Sequence, residues 1–173
     1  MFTVRKPVSS ELNTYYQSYL KYIPEEDMLD VLIKEKDVIQ KFLQSIPESK
    51  ASSAYADGKW LLKEVVGHLC DTERILSYRA LRISRNDKTP LPGFDENEYT
   101  PNSNYKTRSL SNIAEEFKSI RESSITLFNN MNEDMFDRKG ITNNSEVCVR
   151  NLLFFIVAHE RHHLKVIQER YLL

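Results

Sequence analysis

CVRNLLFFIVAHERHHLKVIQERY, residues 148–171, holds the longest apolar run of the chain, Leu152 to Ala158, and three of its 4 histidines. Leu152, Ile156, His159, His163, Ile167 and Arg170 recur at steps of three and four, the spacing that aligns residues on one face of an α-helix. The pattern predicts a helix from about Cys148 to Tyr171 with this stripe turned towards a core. His159 and His163, four apart, stack on that stripe and can reach one ion. His159 and His162, three apart, form an alternative pair. His162 and His163 cannot easily share an ion, because about 100° of helix rotation separates neighbours. The apolar stripe favours His159 with His163.

The remaining histidine lies on a second predicted helix, from about Leu61 to Arg85. Its stripe reads Leu61, Val65, His68, Thr72, Ile75, Leu76, Arg79 and Ile83. Two separate helices thus place histidine where a bundle interior expects leucine. Three buried imidazoles without a shared purpose would each need a hydrogen-bond partner of their own. One divalent metal ion on His68, His159 and His163 satisfies all three, and bundle cores commonly host such sites between facing helices. Three protein ligands leave one position for water or substrate, the arrangement of catalytic rather than structural zinc. Imidazole suits Zn, Cu, Fe and Ni alike, so the residues do not name the metal. A water or a thiol in the open position would lose its proton more readily than in solution.

Other polar groups follow the histidines. His159-Glu160-Arg161-His162-His163 matches the H-E-x-x-H metalloprotease pattern. The longer form of that motif fails, since Val166 and Glu169 stand where its glycine and third histidine belong. No predicted strand offers an edge for a peptide either. Glu160 remains a candidate catalytic base beside the metal, against the alternative of a solvated surface carboxylate. Glu64 and Asp71, one turn before and one turn after His68, are candidates to orient its imidazole by a hydrogen bond. Arg79 and Arg170 continue the two stripes, towards ordinary ion pairs or a substrate anion. Trp60 opens the second helix and is expected to plug one end of the core.

The rest of the chain also reads as helix. Residues from about Ser9 to Ile23 carry Tyr15, Tyr16, Tyr19, Leu20 and Tyr22, which suits a short helix packed on a bundle or covering a partner. Pro24 suits a first helical position, with Glu25, Glu26 and Asp27 complementing the positive helix N-terminus. Leu29, Leu32, Ile33, Ile39, Phe42 and Leu43 continue that helix to a stop at Pro47. A third begins at Ser109, a good N-cap residue, and runs through Phe117 to Phe128. Between Asn86 and Arg108 lie Pro90, Pro92, Gly93 and Pro101, which exclude one continuous helix. A connection of that length could let the second and third helices run parallel. Its Phe94, Asp95, Glu96, Glu98, Tyr99 and Tyr105 suit either a lid over a site or a plain surface crossover. Only 4 Gly and 6 Pro occur in 173 residues, too few for a turn-rich β fold. The fold class is all-α, one four-helix bundle domain over 1–173.

The balance of charge excludes other functions. Lys and Arg number 24 against 25 acidic residues, for a net charge of -1, so no basic face points to nucleic acid. The longest apolar run is far short of a membrane span. The N-terminal Met-Phe-Thr-Val-Arg-Lys-Pro has no apolar region behind its basic residues, so no signal peptide is expected. Cys70 and Cys148 do not make a disulfide framework, and Cys70 lies in an apolar helical pattern. A reducing cytoplasm is the expected location.

WLLKEVVGHLCDTER (60–74), RALRI (79–83), PLPGFDE (90–96) and AHERHH (158–163), in this order and spacing, resemble the DinB-like superfamily of the DinB/YfiT type. The resemblance covers nearly the whole chain from Tyr16. It implies a four-helix bundle with a long crossover after the second helix, usually a homodimer. It implies one ion of the nickel or zinc kind, with Fe or Mn as alternatives, on His68, His159 and His163. Some relatives are thiol S-transferases that use low-molecular-weight thiols, and others are called hydrolases. One departure is Leu61, where the family has a small hydroxyl cap. The expected function is a metal-dependent enzyme acting on a small molecule by thiol transfer or hydrolysis. The competing readings are a non-catalytic bundle whose metal only cross-links helices, and an interaction module whose histidines pair with Glu64, Asp71 or one another.

Overall fold

Four long helices form the body of the molecule in the computed structural model, which describes residues 3–24 and 27–173. They are α1 (Met28–Ser45), α2 (Leu62–Ser84), α3 (Leu110–Asn129) and α4 (Val149–Val166). Each starts for a local reason. The Asp27 carboxylate accepts from the backbone of Leu29 and Asp30 at the head of α1, and the Ser109 hydroxyl accepts from Asn112 at the head of α3. Leu61 offers α2 no side-chain cap, but Glu64 reaches back and accepts from the Leu61 N–H at 2.8 Å, which satisfies one of the orphan donors of the first turn. Pro24 is not the first residue of α1: the helix begins at its true cap, Asp27, and Glu25 and Glu26 lie outside the described residues.

The helices pack in the ring α1, α3, α2, α4 and back to α1. Helix directions follow from which ends meet. Lys63 donates to the Arg108 carbonyl at 3.2 Å and Ser77 meets Ser124 at 2.9 Å, so α2 and α3 run parallel. Gln40 reaches Glu115 and Lys36 reaches Glu122, so α1 is antiparallel to α3. Tyr171 reaches the Trp60 carbonyl, whereas His68 meets His159, so α4 is antiparallel to α2. The long 86–108 connection permits the parallel pair. It carries a short helix, Glu96–Asn102, and a single 3-10 turn, Tyr105–Thr107. Its Tyr105 ring lies so close to Gly67 of α2 that a Cβ there would come within 2.3 Å of the ring.

Three features differ from the expectation drawn from the sequence. The segment from Ser9 to Ile23 is not one helix but three short turns, Ser9–Glu11, Thr14–Gln17 and Leu20–Tyr22. It packs on its own bundle, Tyr16 stacking on Phe155 with centroids 4.4 Å apart. A β-hairpin, β1 (Lys139–Thr142) and β2 (Ser145–Cys148), joins α3 to α4 through the short helix Glu133–Asp137. Asn143 and Asn144 both take positive φ, 48° and 60°, as a two-residue primed turn requires. The hairpin tip also holds the connection, for Leu91 donates to Ile141 and Asn143 donates back to Leu91. Finally, α4 is buried on all sides from Val149 to Glu160. It is the central helix of the molecule, and its apolar surface is far wider than one stripe.

Candidate metal centre

α4 presents His159 and His163 one turn apart, and α2 crosses them with His68. Their Nε2 atoms converge: His68 lies 3.1 Å and His163 3.0 Å from the Nε2 of His159. All three ligand atoms fall within 4.8 Å of one another. His68 and His159 are buried, and His163 is half-buried. Phe155 and Trp60 close the cluster on two sides, with centroids 5.2 Å from His159 and 5.2 Å from His68.

Hydrogen bonding alone serves this arrangement poorly. A neutral imidazole nitrogen is either a donor or an acceptor. The single Nε2 of His159 faces two other nitrogens, and it could serve both only as one lone pair shared by two N–H groups or as one N–H shared by two lone pairs. A cation at the centre uses the lone pairs of all three. Metal–nitrogen bonds of about 2.0–2.1 Å place ligand nitrogens roughly 3–3.4 Å apart, depending on geometry, and the two separations from His159 lie in that range. Burial drives the His68 pKa down to about 4. Burial, and then the neighbouring imidazoles, hold His159 and His163 well below the ordinary histidine value. The rings are therefore neutral at pH 7 with lone pairs available, and the donor set fits a divalent ion.

The polar residues grouped with the histidines in the sequence go elsewhere. Glu64 is occupied as the cap of α2. Asp71 accepts from the Tyr105 hydroxyl at 2.8 Å. Neither carboxylate orients His68; the neighbour of its Nδ1 is Thr72 Oγ1, at 3.5 Å. Glu160 is neither a base in the cavity nor a surface carboxylate. It is fully buried on another face of α4 in an ion pair with Arg121 of α3, which also holds Glu73 of α2 at 2.7 Å. The helical rotation that aims His159 at α2 turns the next residue towards α3. His162 stands outside the cluster, its Nδ1 2.9 Å from the Tyr22 hydroxyl. Arg170 is exposed over the Tyr55 ring. Trp60 is half-buried, packs against the core cluster that holds Leu62 and Val66, and also lies against His68.

The cluster faces a cavity of about 730 Å³. Its walls include Gly93, Phe94 and Glu96 from the 86–108 connection, so that segment does border the site. Two contributors escaped the sequence reading: the tyrosines of the N-terminal turns and the hairpin tip at Thr142 and Asn143. The Asn143-Asn144 pair was the available signal for the hairpin. Nothing in the tyrosine spacing says that those rings also roof a cavity. No helix among the described residues is long and apolar enough to cross a membrane.

Known proteins share this architecture. A proposed metal-dependent hydrolase of Oceanobacillus iheyensis, OB0413, is 25% identical over 126 residues, 70% of each chain. YfiT of Bacillus subtilis, another proposed metal-dependent hydrolase, is 22% identical over 148 residues, 84% of this chain and 83% of its own. The YfiT structure, described as an unusual four-helix bundle topology, superposes with a TM-score of 0.71 at 21% identity, covering 95% of this chain and 90% of that one. The mycothiol-dependent maleylpyruvate isomerase gives a TM-score of 0.64 at 12% identity, over 95% of this chain and 62% of that one. Likeness at such identities carries the fold alone. The family model of the DinB superfamily matches residues 32–167. The chain belongs to the DinB superfamily.

Proposed function

We propose that this protein is a divalent-metal-dependent enzyme that transfers a small thiol to an electrophile in the cavity above the histidines. The observation that carries the reading is the convergence of three neutral imidazoles on one point at the cavity wall. His68, His159 and His163 would hold the ion, with zinc or nickel first and iron or manganese as alternatives. A bound divalent ion would supply Lewis acidity at the coordination position left open to the cavity.

Transfer is preferred to hydrolysis because of where the carboxylates are. Activating water calls for a base within reach. Glu64, Asp71 and Glu160 are engaged away from the cluster. Glu96, the one carboxylate among the described residues of the cavity wall, lies on the connection without a hydrogen bond to any of the three histidines. A thiol, with a free pKa near about 8.5, needs far less help to ionise. Its sulfur would form the new bond to the electrophilic carbon, its proton would pass to solvent through the cavity, and the leaving group would depart with the electron pair. Phe155 and Trp60 would keep bulk water from the cluster, and Tyr16, Tyr19 and Phe94 would pack against the apolar body of the electrophile. Hydrolysis is the second reading, supported by the names of the Oceanobacillus and Bacillus relatives.

Elemental mass spectrometry of tag-free, chelator-free protein tests the proposal. About one ion per chain in the wild type, lost in His68→Ala, is the expected result. Metal-dependent conjugation of a thiol to a model electrophile should vanish in the same variant. Wild-type protein that takes up no Zn, Ni, Mn or Fe would overturn the enzyme reading.

A further inference from the structure

His68, Thr72, Leu76 and Arg79 follow one another at steps of four, four and three on α2, and all four line the cavity. The cavity therefore runs along three turns of that helix. From His68 to Arg79 the helix rises roughly 16 Å, so the two ends of the cavity differ in chemistry: neutral imidazoles at one, a guanidinium at the other.

Arg79 is only 6% exposed, yet its polar contact is a single carbonyl, Pro92, to which Nη2 donates at 2.6 Å. The Phe94 ring lies 5.9 Å from the guanidinium carbon. Among the described residues no carboxylate pairs with it. The other buried arginines are treated differently: Arg121 has Glu73 and Glu160, and Arg150 has Asp137. Burial holds Arg79 below the ordinary arginine value, offset only by the hydroxyls of Tyr16 and Tyr99 and by no carboxylate. Arginine carries five N–H donors in a fixed fork, and most of this fork is left for whatever enters the cavity. A buried cation without a counter-ion is costly.

We propose that Arg79 anchors a carboxylate on the small molecule that occupies this cavity, at the end remote from the histidines. The inference rests on the cavity being the substrate site, but not on the metal. Arg79 is the single permanent cation among the described residues that line the cavity, and Glu96, the single carboxylate there, does not pair with it, so one anionic group on the ligand finds one cation to meet it. The planar fork accepts a carboxylate through two parallel hydrogen bonds. The ligand class is then an elongated monocarboxylate whose reacting group lies at its far end.

Calorimetric titration of metal-free protein with octanoate, octanol and octyl phosphate tests this without any turnover. Octanoate should bind roughly tenfold or more tighter than octanol, the difference expected of a charge-assisted pair. The preference should disappear in Arg79→Gln and survive in part in Arg79→Lys, which keeps the charge without the fork. Metal stoichiometry should be the same in all three proteins. Equal affinity for octanoate and octanol, no measurable binding of either, or an undiminished preference in Arg79→Gln would overturn the proposal. Tighter binding of octyl phosphate would overturn the carboxylate assignment. The wild-type comparison decides the matter even if Arg79→Gln does not fold, and failure to bind metal would sink the enzyme reading while leaving these titrations intact.

Discussion

Arg121 of α3 donates to Glu160 of α4 immediately behind His159, in a pair of which 1% and 2% of the side chains meet solvent. The same guanidinium donates through Nε and Nη2 to Glu73 of α2. One cation thus ties three helices together on the face of α4 that looks away from the cavity. Removing it should leave two buried carboxylates without a partner. Arg121→Met is expected to lose about 3–5 kcal/mol of stability, measured by urea denaturation.

Glu160→Gln separates structure from catalysis. The amide keeps the shape and one acceptor, so the expected cost is about 1–3 kcal/mol. Because the carboxylate faces Arg121 rather than the cavity, metal content and turnover per folded chain should stay within about twofold of wild type. A loss of about a hundredfold or more, the usual effect of removing a general base, would show that Glu160 acts on the substrate.

Tyr105 provides a comparable test beside His68. Its ring packs against Gly67 and its hydroxyl donates to Asp71. Gly67→Ala would force the ring away and is expected to cost about 1–3 kcal/mol, as overpacking does. Tyr105→Phe removes only the hydrogen bond, for about 1 kcal/mol, and should leave metal affinity unchanged. A marked fall in affinity in Tyr105→Phe would restore Asp71 to a role in orienting His68.

The metal-free protein should be acid-sensitive in a defined window. His68 titrates at about 4 in the fold, against an ordinary 6.5, because burial disfavours its charged form. Between those values the unfolded chain binds the proton and the folded chain does not. Stability is therefore complete above about pH 6.5 and declines as pH falls towards 4. His159 and His163 are shifted in the same direction and add to the slope. Urea midpoints of chelated protein from pH 7.5 down to 4.5 should fall steadily, and His68→Leu should flatten part of that decline. A flat wild-type profile would contradict the burial of neutral imidazoles.

Much of the cluster was legible because helical periodicity is a strong signal wherever a polar residue interrupts an apolar stripe. His68, His159 and His163 could be grouped without coordinates for that reason. Glu160 could not be placed in the same way. Periodicity says that it points about 100° away from His159, but it cannot say that α3 supplies Arg121 there. Near-complete burial of α4 had its signal in the apolar run from Leu152 to Ala158, but the stripe takes only Leu152 and Ile156 from that run and leaves Phe154, Val157 and Ala158 unassigned. The hairpin escaped because each of its strands has four residues and neither shows clean alternation of burial. Asp27 outcompeted Pro24 as the start of α1 because a side-chain acceptor satisfies orphan N–H groups that proline merely tolerates.

The hairpin and the connection meet at the cavity, and their contact yields the last prediction. A Cβ on Gly93 would come within 2.4 Å of the Asn143 side-chain oxygen. Asn143 is the first turn residue, and its backbone N–H donates to Leu91 at 3.0 Å. The clash falls on the far end of a side chain that can swing away, so Gly93→Ala should change stability by less than about 1 kcal/mol. Gly93 also follows Pro92, whose carbonyl holds Arg79. The small shift of the connection that accompanies the swing of Asn143 should therefore loosen the guanidinium before it touches the histidines. The expected signature is a weaker KM for an anionic substrate with kcat and metal content nearly unchanged. Equal losses in kcat and kcat/KM would instead mean that the connection shapes the reacting end of the cavity.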